Sequence, residues 1–229
     1  MKHLIRPALA IAWKDIYIEW KTKQNITTML IFSGLIIVIF SFAFDPANEA
    51  VQALVPGLIW VMIIFAGILG LNSSFTSEKQ EDRLHGFIVA PVDPSSVYIG
   101  KFLANFLFVL VTQLVSIPVL FILFDFRLMS SERLFYFIII LLLGTFGFIA
   151  VGTLLAALAS HAKNSDMLLP VLLFPLVMPV VIAAVQATKI VLIGPAGIDA
   201  ATNWMLLLVV FDVIFFVAGF LLFEYVLEV

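Results

Sequence analysis

Charged residues cut this chain into long uncharged runs. Between Lys23 and Asp45 lie 21 uncharged residues, between Glu49 and Glu78 lie 28, and between Lys101 and Asp125 lie 23. Arg133 to Lys163 encloses 29, with only His161 near the end, and Asp166 to Lys189 encloses 22. The last run, Asp199 to Glu224, holds 24 and is interrupted once, by Asp212. A helix crossing ~30 Å of hydrocarbon needs about 20 mostly apolar residues, so every run predicts a span. Spans are expected at about 26–44, 51–75, 97–124, 134–160, 167–187 and 203–225. The fold class is therefore an all-α integral membrane protein, one domain over 1–229, with six transmembrane helices.

Two further segments carry pattern without being long enough to span. Within residues 1–24, Ile5, Leu9, Ala12, Trp13, Ile16 and Trp20 fall on one helical stripe, flanked by Arg6, Lys14 and Lys21. That pattern predicts an amphipathic helix lying in the membrane interface, with tryptophans at headgroup depth and cations near anionic lipid. The loop at 76–96 opens with Ser77 and Gln80 at capping-box spacing. Glu78, Glu81 and Asp82 crowd what would be the first turns of a helix, and Arg83 and His85 its last, as the helix dipole favours. Gly86 and Pro91 then stop it. A short helix at about 78–85 is predicted, followed by the apolar triplet Phe87-Ile88-Val89, which is costly to leave exposed unless a membrane or a partner covers it. The segment reads as a docking element.

Composition agrees with lipid as the solvent. Hydrophobic residues make up 63% of the chain and charged residues 12%, against about 45–50% and about 25% in soluble domains. The net charge of −3 and the lack of an arginine cluster point away from nucleic acid. There is no cysteine, which excludes disulfides, iron–sulfur ligation and covalent haem attachment through Cys-x-x-Cys-His. The opening MKHLIRPALAIAWKDIYIEW does not read as a signal peptide, because charges break its apolar stretch. Six spans put both ends on one side. That side holds nine of the twelve lysines and arginines (Lys2, Arg6, Lys14, Lys21, Lys23, Lys79, Arg83, Lys101 and Lys163), and the other side holds Arg127, Arg133 and Lys189. The positive-inside rule then predicts cytoplasmic termini.

Candidate chemistry is sparse. His3, His85 and His161 all lie outside the spans and share no His-x-x-x-His spacing, so no zinc or protease constellation is visible. No Gly-rich phosphate loop with a Lys-Ser/Thr is present, so ATP hydrolysis must come from another chain if it is used. No span carries a histidine for axial haem ligation, and Met29, Met62, Met178 and Met205 read more simply as packing. Two intramembrane features need a reason. Span five carries Pro170, Pro175 and Pro179, each removing a backbone donor, which predicts a kinked helix facing protein or water. Asp212 lies nine residues past Asn203, near mid-membrane, where a carboxylate costs at least ~2.5–3.5 kcal/mol.

Pro56-Gly57-Leu58-Ile59-Trp60 opening span two resembles the Pro-Gly-x-x-Trp signature of the B subunit of the cytochrome c maturation haem exporter. In the same order come Phe75…Glu78…Asp82-Arg83-Leu84…Pro91, Gly100-Lys101, Leu141-Leu142-Leu143-Gly144-Thr145 and Phe174-Pro175-Leu176-x-x-Pro179. Asp212 and Pro170 lie outside these elements. The resemblance implies a permease of ABC-2-type exporter architecture, one half of an ATP-binding cassette complex in the bacterial inner membrane. It implies that loop 76–91 is the main coupling helix, with Glu78, Glu81, Asp82, Arg83, Leu84 and Phe87 meeting a cytosolic ATPase subunit. The turn at 161–166, with Lys163, would be the minor one. The remaining partners it implies are a second copy of the chain, a haem-handling membrane subunit and a small single-span subunit. Haem is the implied transported or transferred ligand, not a covalently bound cofactor. Candidates for a translocation path or helix kink are Pro56, Gly57, Trp60, Pro175, Pro179 and Asp212.

Three other readings remain open at this point: an exporter of a different amphipathic cargo, a scaffold that only converts ATPase motion into release of a haem chaperone, and an intramembrane enzyme. The Pro-Gly-x-x-Trp signature counts against the first and the missing catalytic constellation against the last. The topology is directly testable. Cysteines introduced at Asn48 and Ala196 should react with an impermeant reagent from the periplasm, and one at Ser95 should not; labelling of Ser95 from outside would overturn the orientation.

Overall fold

With no water in hydrocarbon, each span must satisfy its own backbone donors and acceptors, which only helices or closed barrels achieve. In the computed structural model the described residues are 2–45, 48–80, 93–126, 130–160, 165–194 and 198–227, and every regular element among them is helical. In chain order these are α1 Lys2–Thr22, α2 Gln24–Ala43, the short α3 Glu49–Gln52 and α4 Val55–Gln80. They are followed by α5 Pro94–Leu123, α6 Ser131–Ser160, α7 Ser165–Leu192, a 3₁₀ turn at Ile198–Ala201 and α8 Thr202–Leu227. Six of them, α2 and α4 to α8, are long and apolar enough to cross a membrane.

Local chemistry explains where the helices begin. Asp93 accepts a hydrogen bond from the Ser95 backbone N–H at 2.9 Å, and Pro94 takes the first helical position, so α5 starts at 94, ahead of the expected 97. Between α1 and α2 the chain turns at Lys23, whose φ of 53° is left-handed. The Glu19 carboxylate, carried by α1, accepts from the N–H groups of Asn25 (3.2 Å) and Ile26 (2.8 Å). An acid from the preceding helix thus caps α2, supplying the negative charge a helix N-terminus favours.

One expectation is corrected. Ser77 does not open a separate helix, because α4 continues without a break from Val55 to Gln80. Nothing between Asn72 and Gln80 breaks a helix, and extending an existing one avoids the cost of a new nucleus. At 26 residues α4 is about 39 Å long and outruns ~30 Å of hydrocarbon on the side of the termini. Residues 81–92, which carry most of the expected docking element, lie outside the described residues.

α6 sits at the centre and packs against α4, α5, α7 and α8, while α2, the least buried span, lies at the edge. Close approach depends on small residues along α6. Gly144 lies under the Trp60 ring, Gly147 against Asp212 and Phe211, and Gly152 against Leu71, each where a Cβ would collide. On the side of the termini, Tyr98 donates to the Ala150 carbonyl at 3.1 Å. Phe102 packs edge-on against Phe146 (centroids 4.7 Å apart) and Phe216 (5.2 Å), joining α5, α6 and α8. On the far side, the Arg133 guanidinium donates to the carbonyls of Val191 and Gly194, both at 3.3 Å, and so ties the start of α6 to the end of α7.

The amino-terminal helix has two apolar stripes. Ala8, Ile11 and Ala12 are buried, whereas Ile5, Leu9, Trp13, Tyr17 and Trp20 face outward, Trp13 and Trp20 at 71% and 77% exposure. Ala12 therefore belongs to the packing face, not to the expected lipid-facing stripe. At Gly100 an added Cβ would stand 2.7 Å from the Ala8 carbonyl oxygen, so glycine lets the α1 backbone reach α5. Beside it, the Nζ of Lys101 lies 2.9 Å from the Asp15 carboxylate, and Lys101 is only 1% exposed. The same ammonium donates to the Ser74 carbonyl at 3.4 Å and stands 5.3 Å from the centre of the Phe75 ring.

Removing one member of a buried pair weakens the setting of the other. Asp15→Leu should destabilise the bundle measurably, because Lys101, 1% exposed, loses the carboxylate 2.9 Å from its ammonium. Lys101→Met should cost less, since Lys14 also lies 3.2 Å from Asp15. The double variant should recover most of the loss. Thermal unfolding in detergent decides; equal losses for all three variants would contradict the buried-pair account.

Candidate functional site

Trp60, in the first turns of α4, is 2% exposed and donates through Nε1 to the Thr188 hydroxyl of α7 at 3.0 Å. Its six-membered ring covers Gly144 of α6. One residue further on, Thr145 accepts a hydrogen bond from the Gln113 amide of α5 at 2.6 Å. Two polar links thus hold four helices together at adjacent positions on α6. In a lipid environment apolar packing alone discriminates weakly between helix pairings, so such links help to fix which helices meet. Pro56 is buried just above, whereas an added Cβ at Gly57 would meet no atom within 4 Å.

Ser74 lies fourteen residues along α4 from Trp60, about 21 Å at 1.5 Å per residue. The Trp60 brace and the Lys101 knot therefore occupy opposite halves of the membrane on the same helix. The knot joins α1, α4 and α5, and α4 and α5 are the two stems from which residues 81–92 emerge.

The expected site residues separate into three groups. Trp60 and Gly144 come together with Thr188, which the sequence did not single out. Glu78 falls on the last turns of α4, and Glu81, Asp82, Arg83, Leu84, Phe87 and Lys163 lie outside the described residues. Pro175 and Pro179 are exposed on the outer surface of α7, and Pro170 is half-buried, so in one copy these prolines do not line the interior. α7 nevertheless stays helical from Ser165 to Leu192, since a missing donor in one turn leaves the neighbouring bonds intact.

Asp212 is 5% exposed and packs against Gly147, Val180 and Phe211, with no hydrogen-bond partner among the described residues. Its carboxyl group therefore makes no cross-helix hydrogen bond among the described residues. Gly147 supplies the space for the carboxyl group. Among the described residues no three His, Cys, Asp or Glu side chains gather as a metal site. Sequence reasoning also passed over Asp15, Glu19, Gln113 and Thr188. Their signal was available, as a polar side chain inside or beside an apolar run that must find a partner when buried.

The family model described as "CcmB protein" matches residues 6–224. The chain is similar to heme exporter protein B of Pseudomonas aeruginosa, with 28% identity over 179 residues, 76% of this chain and 78% of that one. It is also similar to the proteins of that name from Bradyrhizobium diazoefficiens, at 26% over 191 residues (83% and 85%), and Rhodobacter capsulatus, at 26% over 202 residues (84% and 91%).

Two glycine substitutions separate steric from other roles. Gly144→Ala should push the Trp60 ring off α6 and cost about 1–3 kcal/mol, the scale of an overpacked core. Gly57→Ala, which meets open space, should stay within about 0.5 kcal/mol of wild type or gain slightly. Comparing the two melting curves in detergent checks both; a large loss at Gly57 alone would reverse the assignment.

Proposed function

This chain belongs to the CcmB protein family, and on that premise we propose that it is the permease subunit of an ATP-binding cassette complex that exports or delivers haem for cytochrome c biogenesis. The chain is a multi-pass, all-α membrane protein. In the proposed arrangement its termini face the cytoplasm of a bacterium, it lies in the inner membrane, and a separate cytosolic subunit hydrolyses ATP. The observation that carries the reading is the family match over nearly the whole chain, since the named relatives are heme exporters of similar extent.

The geometry supplies a physical route for coupling. Segment 81–92 would meet the ATPase through Glu81, Asp82, Arg83, Leu84 and Phe87, with Glu78 on the stem and Lys163 on the neighbouring turn. Force applied there would enter α4 and α5 together, because Lys101 links both to α1. It would then travel along α4 to the Trp60 brace. A second copy would pack on the outward faces of α2 and α7, which flank Phe65 of α4. Phe65 stands 6.2 Å from Phe32 and 5.8 Å from Phe174, and its ring remains partly open to the outside.

One observation favours the scaffold reading as the second choice. At Gly67, Gly144 and Gly152 the bundle interior has no room even for a methyl group, because Phe148, Trp60 and Leu71 fill it. A planar macrocycle would therefore pass along the outer surface, between two copies, or through a partner, and this subunit would contribute motion rather than a pore.

Glu81→Lys combined with Asp82→Lys, and separately Leu84→Asp, should leave the chain inserted but abolish recovery of the ATPase on purification. Charged anchors and one apolar contact carry most of a small docking surface. Normal ATPase recovery and stimulation in both variants would remove this segment from the coupling scheme. Wild-type cytochrome maturation in cells lacking the chain would remove the haem reading itself.

A further inference from the structure

Asp212 is a buried titratable group that the coupling scheme leaves unused. It stands ten residues into α8, about 15 Å along the helix, which is half of ~30 Å of hydrocarbon. Three side chains converge over Gly147 of α6. A Cβ added to that glycine would overlap Asp212 Oδ1 and lie 3.0 Å from the Phe211 ring and 3.2 Å from a Val180 methyl. The carboxyl group is therefore enclosed where α6, α7 and α8 meet, and neither oxygen has a hydrogen-bond partner among the described residues.

The described charged and titratable groups of the helices packed on α8 lie elsewhere. Arg133 of α6 is fourteen residues from Gly147, about 21 Å, and donates to the Val191 and Gly194 carbonyls; Glu132 beside it is exposed. Tyr136 is eleven residues from Gly147, about 16 Å. Lys189 of α7 is exposed and nine residues from Val180, about 14 Å. On α5, Lys101 faces Asp15 and Tyr98 donates to the Ala150 carbonyl. Glu224 of α8 is twelve residues away, about 18 Å, and Asp199 of the 3₁₀ turn is exposed.

These surroundings select the ligand. A carboxylate without a counter-charge is costly at mid-membrane, so the group must bind something positive. A hard metal cation gathers about six oxygen ligands, and the side chains of Gly147, Val180 and Phe211 offer none. A proton needs a single oxygen. We propose that Asp212 is a proton-binding site of the closed bundle, neutral while α6, α7 and α8 are packed and ionised once α8 moves off Gly147. On opening, the carboxyl O–H bond breaks and water accepts the proton; on closing, water returns it. Acid therefore favours the closed seam and alkali the open one. The site is independent of the haem reading, since it follows from packing and charge alone.

The test uses the full chain in lipid nanodiscs and infrared spectroscopy, which separates the carbonyl stretch of a neutral acid from the bands of a carboxylate. At neutral pH, wild type minus Asp212→Asn should show a neutral-acid stretch at the high frequency of an unbonded carboxyl group, without carboxylate bands. Val180→Ser sets a hydroxyl beside the group and should shift that stretch to lower frequency. Gly147→Ala displaces the carboxyl group, so its stretch should give way to carboxylate bands at lower pH than in wild type. A melting curve verifies that each variant is folded; if Gly147→Ala is not, Val180→Ser decides. Carboxylate bands in the neutral-pH difference spectrum would mean that a cation or a partner supplies the charge, and would overturn the proposal. So would a stretch that stays in place in Val180→Ser or a titration unchanged in folded Gly147→Ala. The readout is spectroscopic, so either outcome leaves the haem reading untouched.

Discussion

A lysine ammonium sealed inside an apolar bundle is tolerable only when its charge is met, and at Lys101 groups from two other helices meet it. Asp15 supplies a counter-charge from α1, and α4 adds the Ser74 carbonyl as acceptor and the Phe75 ring 5.3 Å away. The cost of separating these groups exceeds what any single apolar contact contributes, since a buried charge without its partner is worth several kcal/mol of destabilisation. The helix that lies outside the six spans is therefore not a loose appendage. Glu19 on the same helix caps α2, so the beginning of the chain organises the beginnings of two spans.

The rest of the bundle follows a complementary rule. Lipid tails are as apolar as leucine, so helices gain little by hiding leucines from them, and pairing is set by close approach and by a few polar links. Glycines on α6 permit the approach to Trp60, Asp212 and Leu71, while Trp60–Thr188 and Gln113–Thr145 select the partners. The polar links of α4 lie at one knot and one brace, about 21 Å apart along the helix. Such fixed points are what the coupling proposed above would require.

How much of this was legible in the chain depends on the kind of signal. The number and approximate place of the spans followed from charge spacing, because the penalty for charge in hydrocarbon acts on each residue separately. The amphipathic amino-terminal helix was legible for the same reason, although its two adjacent apolar stripes could not be told apart on a helical wheel. Ala12 shows the difficulty, since it is apolar in either role and only α5 decides that it packs inward. The Ser77 signal misled because a cap is a local preference, worth about 1 kcal/mol, that continuing α4 overrides.

The site separates along the same line. Trp60, Gly144 and Lys101 stood out in sequence as members of recognisable motifs, but nothing along the chain said that the first two touch or that Lys101 closes on Asp15, 86 positions away. Thr188 and Gln113 were unmarked, because a single hydroxyl or amide in an apolar run costs little until its neighbours are known. Asp212 was visible as an anomaly, yet only the packing around Gly147 reveals that its carboxyl occupies a glycine's empty side without a hydrogen-bond partner among the described residues. By itself the sequence determined which residues enter the membrane, since solvation is a property of each segment. Only the tertiary structure decided which of them meet, since pairing energies belong to two residues at once and exist only after the helices have packed.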